Sequence, residues 1–186
     1  FTNVDLSHKK TIKMEINFKL IVLMLGILFT GLTAGLCFTW SNAVTPGIGR
    51  LDNLTFLKAF QAMNRAIING KFLIVFFGPV LLLILNTYLF RGNNTSFWLF
   101  LIAAILFFIG IGLVTIFGNV PLNEVLDKSN LEALSNVELQ NLRDKFEQPW
   151  NRLHTIRSLS SFISFVLLII GMLYSWLEKL LRRLGY

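Results

Sequence analysis

Four uninterrupted apolar runs constrain this chain more than any other feature. They are LIVLMLGILFTGLTAGLCFTW (20–40), FLIVFFGPVLLLILNTYLF (72–90), FWLFLIAAILFFIGIGLVTIF (97–117) and LSSFISFVLLIIGMLYSWL (159–177). None contains Asp, Glu, Lys, Arg or His. Each is close to the ~20 residues that a helix needs to cross a bilayer. Charged residues make up 15% of the 186 positions, against roughly 25% in an ordinary soluble domain, and the mean hydropathy is +0.65. In lipid the backbone must satisfy its own hydrogen bonds, so runs of this length fold as helices. The expected fold is an all-α integral membrane protein, a four-transmembrane-helix bundle spanning 20–178. A basic segment (1–19) precedes it and a basic tail (179–186) follows.

Four spans put both termini on one side and the segments 41–71 and 118–158 on the other. The net charge of +7 is placed beside the apolar runs, which points to lipid headgroups and topology, not to nucleic acid. Lys9, Lys10, Lys13, Lys19, Arg91, Lys179, Arg182 and Arg183 flank the spans on the terminal side. Nine cations lie on the loop side, over about twice the length and among seven acids. The positive-inside rule then gives cytoplasmic termini, in a bacterial inner membrane. The basic start HKKTIKMEINFK is read as leading into a retained first span, with Met14 as an alternative start. Its apolar run is too long for a signal sequence and lacks a small-x-small cleavage pattern. Cys37 is the single cysteine, so no internal disulfide can form.

The two longer loops carry helical patterns of their own. Phe56, Phe60, Met63 and Ile67 recur at helical spacing. Asp52 or Asn53 can cap the start of that helix and Asn69-Gly70 can end it. The expectation is an amphipathic helix on the outer surface or against the bundle. Ser135-Asn136-Val137-Glu138 reads as a capping box for a helix from about 136 to 147. Pro149 either breaks that helix or starts the next one, and from Trp150 the helix can run on into the fourth span. GNVPLNEVL (118–126) reads as a turn. Gly31-x-x-x-Gly35 is a small-residue packing motif that serves intrachain contacts or dimerisation equally well.

QPWNRLHTIRS (148–158) sets Trp150, His154 and Arg157 at i, i+4 and i+7, on one helix face. Ser158 and Ser161 continue that face inward. A His there can act as general base, metal ligand or axial haem ligand, or can simply be hydrogen-bonded at the interface while the Arg side chains reach lipid phosphates. Trp40 and Asn42 end the first span, Asn64 and Arg65 lie on the loop helix, and Asn119 and Asn123 flank Pro121. Together they can line a polar-mouthed, apolar-walled pocket for an aromatic ligand. No Gly-rich phosphate loop, Cys-x-x-Cys or His-Glu-x-x-His is present. His8 falls on the opposite side from His154, so a copper or zinc site would need a carboxylate such as Glu124, Asp127 or Glu147, or a partner chain.

WSNAVTPGIGRLD, FLKAFQAMNRAI, GNVPLNEVL and PWNRLHTIR, taken in this order, resemble the anthrone oxygenase-like membrane proteins (the DUF1772 family), from about residue 20 to 177. The resemblance implies a four-span helical protein associated with oxidation of anthrones to anthraquinones. It points to Trp40, Asn42, Asn64, Arg65, Asn119, Pro121, Asn123, Trp150, Asn151, His154 and Arg157.

Three functions follow as expectations. In the first, His154 is the base that forms an anthrone enolate, Arg157 or Arg65 stabilises its oxygen, and no cofactor is needed. In the second, His154 ligates the iron of haem b, the leading cofactor candidate. Arg65, Arg152 or Arg157 then pair the propionates, Trp150 and the many Phe wall the macrocycle, and Asn151, Trp40, Asn42, Asn64, Asn119 and Asn123 complete the cofactor-binding set. In the third, the chain is a non-enzymatic accessory subunit or a quinone- or lipid-binding protein. The expected partners are the bilayer, a lipophilic aromatic or haem, and a second copy of the chain or a larger membrane complex.

Overall fold

The structure, a computed structural model, describes residues 17–185; the basic segment 1–16, with His8 and Met14, lies outside them. Five helices follow one another with short connections. They are α1 (Phe18–Ile48), α2 (Asn53–Ile67), α3 (Gly70–Leu89), α4 (Asn94–Lys128) and α5 (Asn136–Leu184). A single 3₁₀ turn, Leu131–Ala133, separates the last two. Among the described residues, α1, α3, α4 and α5 are the helices long and apolar enough to cross a membrane.

Every helix starts on a side-chain cap. Asn17, Asp52, Asn69 and Asn93 accept from the backbone N–H three residues on, at 2.9–3.1 Å. Ser135 and Glu138 form the reciprocal capping box. Each cap satisfies a backbone donor that the helix leaves orphaned. Asn69 serves two helices: its amide donates to the Ala66 and Ile67 carbonyls at the end of α2, as its sequence context suggests, at 3.0 and 3.2 Å. It opens α3, and Gly70 is the first residue of that helix, so the connection from α2 is only Ile68 and Asn69.

Two expected breaks are absent. The segment 118–126 is not a turn, because α4 runs through it to Lys128. Pro121 is accommodated by a π-turn over Thr115–Asn119, in which the Val120 N–H reaches back five residues to the Thr115 carbonyl. Pro46 is preceded in the same way by a π-turn over Trp40–Val44, closed by Thr45 N–H on the Trp40 carbonyl. A π-turn widens the helix by one residue and absorbs the missing N–H of the proline that follows. Pro149 breaks nothing either: it lies inside α5, which continues for 49 residues. At 1.5 Å per residue that is about 74 Å, more than twice a bilayer's hydrocarbon core.

The length of α5 gives the molecule two apolar cores. One lies along the spans and includes Leu23, Cys37, Phe76, Leu83, Phe100, Phe107, Ile111 and Leu168. Small residues allow close approach there. A Cβ on Gly110 would stand 2.0 Å from Ser160 Oγ, and one on Gly171 2.4 Å from the Phe100 ring. Ser164 donates to the Ala103 carbonyl at 3.0 Å and Ser96 to the Gly171 carbonyl at 2.9 Å. The second core sits at the loop end, where α2 and the end of α4 pack on the N-terminal third of α5. It contains Phe56, Leu57, Phe60, Leu126, Leu131, Leu139, Phe146 and Trp150. Gly31 packs within the chain against Phe165, whereas a Cβ on Gly35 would meet nothing.

Candidate functional site

The polar face expected on α5 lies at the seam between the two cores. Trp150, His154 and Arg157 are all buried, at 5–7% exposure. His154 stacks flat on Trp150, with ring centroids 4.9 Å apart and 16° between planes. The Arg157 guanidinium carbon lies 5.0 Å from the Trp150 ring centroid, a cation–π contact. Trp40 of α1 and Phe60 of α2 close the aromatic wall, 5.6 and 4.9 Å from the Trp150 ring. The indole N–H of Trp150 donates to Asn123 Oδ1 at 2.9 Å, which fixes the ring that carries the other two.

The partners of His154 fix its tautomer. Arg157 Nη2 lies 2.8 Å from Nδ1, and a guanidinium can only donate. Nδ1 therefore accepts, Nε2 carries the hydrogen, and that hydrogen points to the Cys37 carbonyl at 3.1 Å. Ser158 Oγ is a second neighbour of Nε2, at 3.4 Å. The imidazole is thus held neutral and immobile from α1 and from its own helix.

Arg157 is less completely satisfied. Its Nε has no hydrogen-bond partner among the described residues, nor have Thr115 Oγ1 and Asn119 Oδ1. No carboxylate of the described residues pairs with it. Gly110 meets Ser160 and Gly118 meets Leu153 across the α4–α5 contact. Thr115 lies between those two crossings and so at the level of Arg157. A buried cation with a free N–H is costly unless an acceptor fills the gap.

Several expected residues are elsewhere. Arg65 is largely exposed and bonds the Asp127 carboxylate and carbonyl, tying α2 to the end of α4. Asn42 is exposed and Asn64 half-buried on α2. Asn119 is buried and reaches the Trp150 carbonyl at 3.4 Å. Asn151 and Arg152 turn to a different face of α5. There they line an open groove of about 570 Å³ with Asp144, Glu147, Gln148 and Thr155; His154 is not among its lining residues. No group of three metal-ligating side chains occurs among the described residues.

Two features escaped the sequence reading. The first is the Cys37 carbonyl, since a backbone acceptor leaves no trace in side-chain identity. The second is Arg143, whose Nη atoms donate to the Gly49 and Leu51 carbonyls at 2.7 and 2.8 Å while Nε bonds Glu147 at 2.7 Å. The only local hint was its i,i+4 spacing to Glu147.

A search of the curated proteins and one of the solved structures found no match. A family model described as "Anthrone oxygenase" matches residues 67–167. The match is shorter than the 20–177 that the motifs suggest, and the segments around Trp40 and Arg65 precede it. It contains α3, the whole of α4, and α5 through the His154 face, and it covers more than half of the 186 residues. The chain belongs to the anthrone oxygenase family.

Proposed function

We propose that this chain is an integral membrane oxygenase, with cytoplasmic termini, that oxidises a lipophilic aromatic ketone at the His154–Arg157 pair. The observation that carries this reading is the buried Arg157, with one N–H on His154 and another unpartnered against an aromatic wall. An anthrone has a ketone and, across the same ring, an acidic methylene. Its oxygen accepts from Arg157, which stabilises the enolate as it forms. Turning Arg157 towards that oxygen frees the Nδ1 lone pair of His154, which takes the methylene proton. The enolate is electron-rich enough to react with O2 directly. In the overall reaction the methylene loses two hydrogens and gains one oxygen, and the second oxygen leaves as water. Trp40, Phe60 and Trp150 pack on one another as an aromatic wall beside the pair, a surface that suits a flat polycyclic substrate.

The haem reading fits the same residues less well. Both ring nitrogens of His154 are engaged and one ring face is covered by Trp150. An iron would have to displace either the Cys37 carbonyl or Arg157. The cofactor-free reaction needs only the movement of Arg157.

Oxygen uptake by the purified protein with an anthrone tests the proposal. The expected result is consumption above the uncatalysed rate, one O2 per quinone formed, by a protein without a Soret band. A rate equal to the protein-free background would sink the enzyme reading and leave the accessory role. A Soret band lost in His154→Ala would replace the cofactor-free reading with haem.

A further inference from the structure

His154 has a second way out. Beyond Nε2, at 3.4 Å, lies Ser158 Oγ, and 3.1 Å further lies Ser41 Oγ on α1. Ser158 is half-buried and Ser41 is exposed. Three groups from two helices thus form a continuous chain from a buried imidazole to the surface. The other Nε2 neighbour, the Cys37 carbonyl, accepts a hydrogen bond but cannot pass a proton on. Its role is to hold the ring in place.

We propose that Ser158 and Ser41 are a proton relay serving His154. The reading of His154 as the reacting base gives the relay its purpose, but its geometry and its test stand apart from any substrate. In the resting arrangement the Ser158 hydroxyl donates to the His154 carbonyl at 2.9 Å. One rotation of that hydroxyl turns its hydrogen to Ser41 and its lone pair to Nε2. When Nδ1 takes a proton, the Nε2–H bond breaks and that proton moves to Ser158 Oγ. The Ser158 hydroxyl proton moves to Ser41 Oγ, and the Ser41 hydroxyl proton moves to water. One proton enters at Nδ1, one leaves at the surface, and no electrons are transferred. Run in reverse, the chain returns a proton to the site, which the formation of water from O2 consumes. Arg157 covers the Nδ1 side of the ring, so exchange of the Nε2 proton reports on the serine side alone.

The test uses ¹⁵N-histidine-labelled full chain in detergent micelles. The chain has two histidines, and His8→Gln leaves His154 as the single reporter. Exchange of its Nε2 proton with water is measured by saturation transfer. Ser158→Ala and Ser41→Ala are each expected to slow exchange about tenfold or more. Ser158→Thr, which keeps a hydroxyl, is expected to restore it, and Ser160→Ala to leave it unchanged. Unchanged exchange in Ser41→Ala, an exposed position whose replacement leaves the core intact, would overturn the relay. So would failure of Ser158→Thr to restore exchange. Slowed exchange in a protein that does not oxidise an anthrone would uphold the relay while the substrate reading fell.

Discussion

Trp150 carries two neighbours on its ring and one on its nitrogen. His154 stacks on it, Arg157 lies over it, and Asn123 accepts its N–H. Trp150→Phe keeps the stacking surface but removes the N–H. The expected cost is about 1 kcal/mol, read as a lower thermal midpoint in detergent, with a larger fractional loss of rate because the imidazole loses its fixed platform. Arg143 poses a different test. Its fork reaches two carbonyls past the end of α1 and lies over Phe56, 4.2 Å from the ring centroid. Lysine cannot reproduce that fork. Arg143→Lys is expected to cost about 2 kcal/mol and to speed proteolysis at residues 49–52. At the start of α2, hydrogen bonds from the Thr55 side chain and backbone hold the Asp52 carboxyl below its ordinary range. The sign follows from linkage: a depressed folded value means stabilisation that is complete above the ordinary carboxylate range and lost as pH falls through the folded value. Protection of the backbone amides in the first turn of α2, taken relative to intrinsic exchange at each pH, is expected to fall at acid pH. In Asp52→Asn, which caps without ionising, that dependence should vanish.

At the scale of the helices, α4 and α5 come close because glycine faces serine. A Cβ on Gly110 would stand 2.0 Å from Ser160 Oγ and 2.2 Å from Ser160 Cβ. Something must move, and neither atom is the end of a long flexible chain. Gly110→Ala is expected to lower stability by about 1–3 kcal/mol through overpacking. Ser160→Gly should relieve it in the double variant, whereas Gly35→Ala, which meets open space, should be silent. A thermal midpoint series over these variants checks all three outcomes. The π-turns belong to the same scale. Two of the three among the described residues lie one residue before a proline and beside the site, one carrying Trp40 and the other Thr115 and Asn119; the third, Phe108–Leu113, precedes no proline. They let α1 and α4 remain helical while changing which residues face α5.

Seen as a whole, the molecule was legible in sequence where local rules dominate. Uninterrupted apolar runs announce the four long helices, and the box at Ser135 and Glu138 marks the start of α5. The shared face of Trp150, His154 and Arg157 follows from helical spacing alone. The helix ends were less legible, because proline and asparagine have more than one use. Pro121 and Pro149 read as breaks until a π-turn or tertiary packing absorbs them. Asn69 ends the helix before it, as its context suggests, and also caps the one after. The rest of the site depends on contacts across the fold. The Cys37 carbonyl is 117 residues from His154, and Arg65 was drawn to Asp127 by a register between α2 and α4 that no spacing encodes. The resemblance of four ordered motifs anticipated the family, but it grouped residues that the fold separates, Arg65 and Asn151 among them.

The most direct test of the central claim, that His154 and Arg157 act as one reacting pair, is quinone formation from an anthrone by four purified proteins. They are the parent chain, His154→Ala, Arg157→Met and the double variant, matched for helix content. The account predicts that loss of the base lowers the protein-dependent rate by about 10²–10⁴-fold. Loss of the buried donor should lower it by about 10²–10³-fold, and the double variant should be no slower than the worse single one, since the two act as a unit. Rates in both single variants equal to that of the parent would contradict the account.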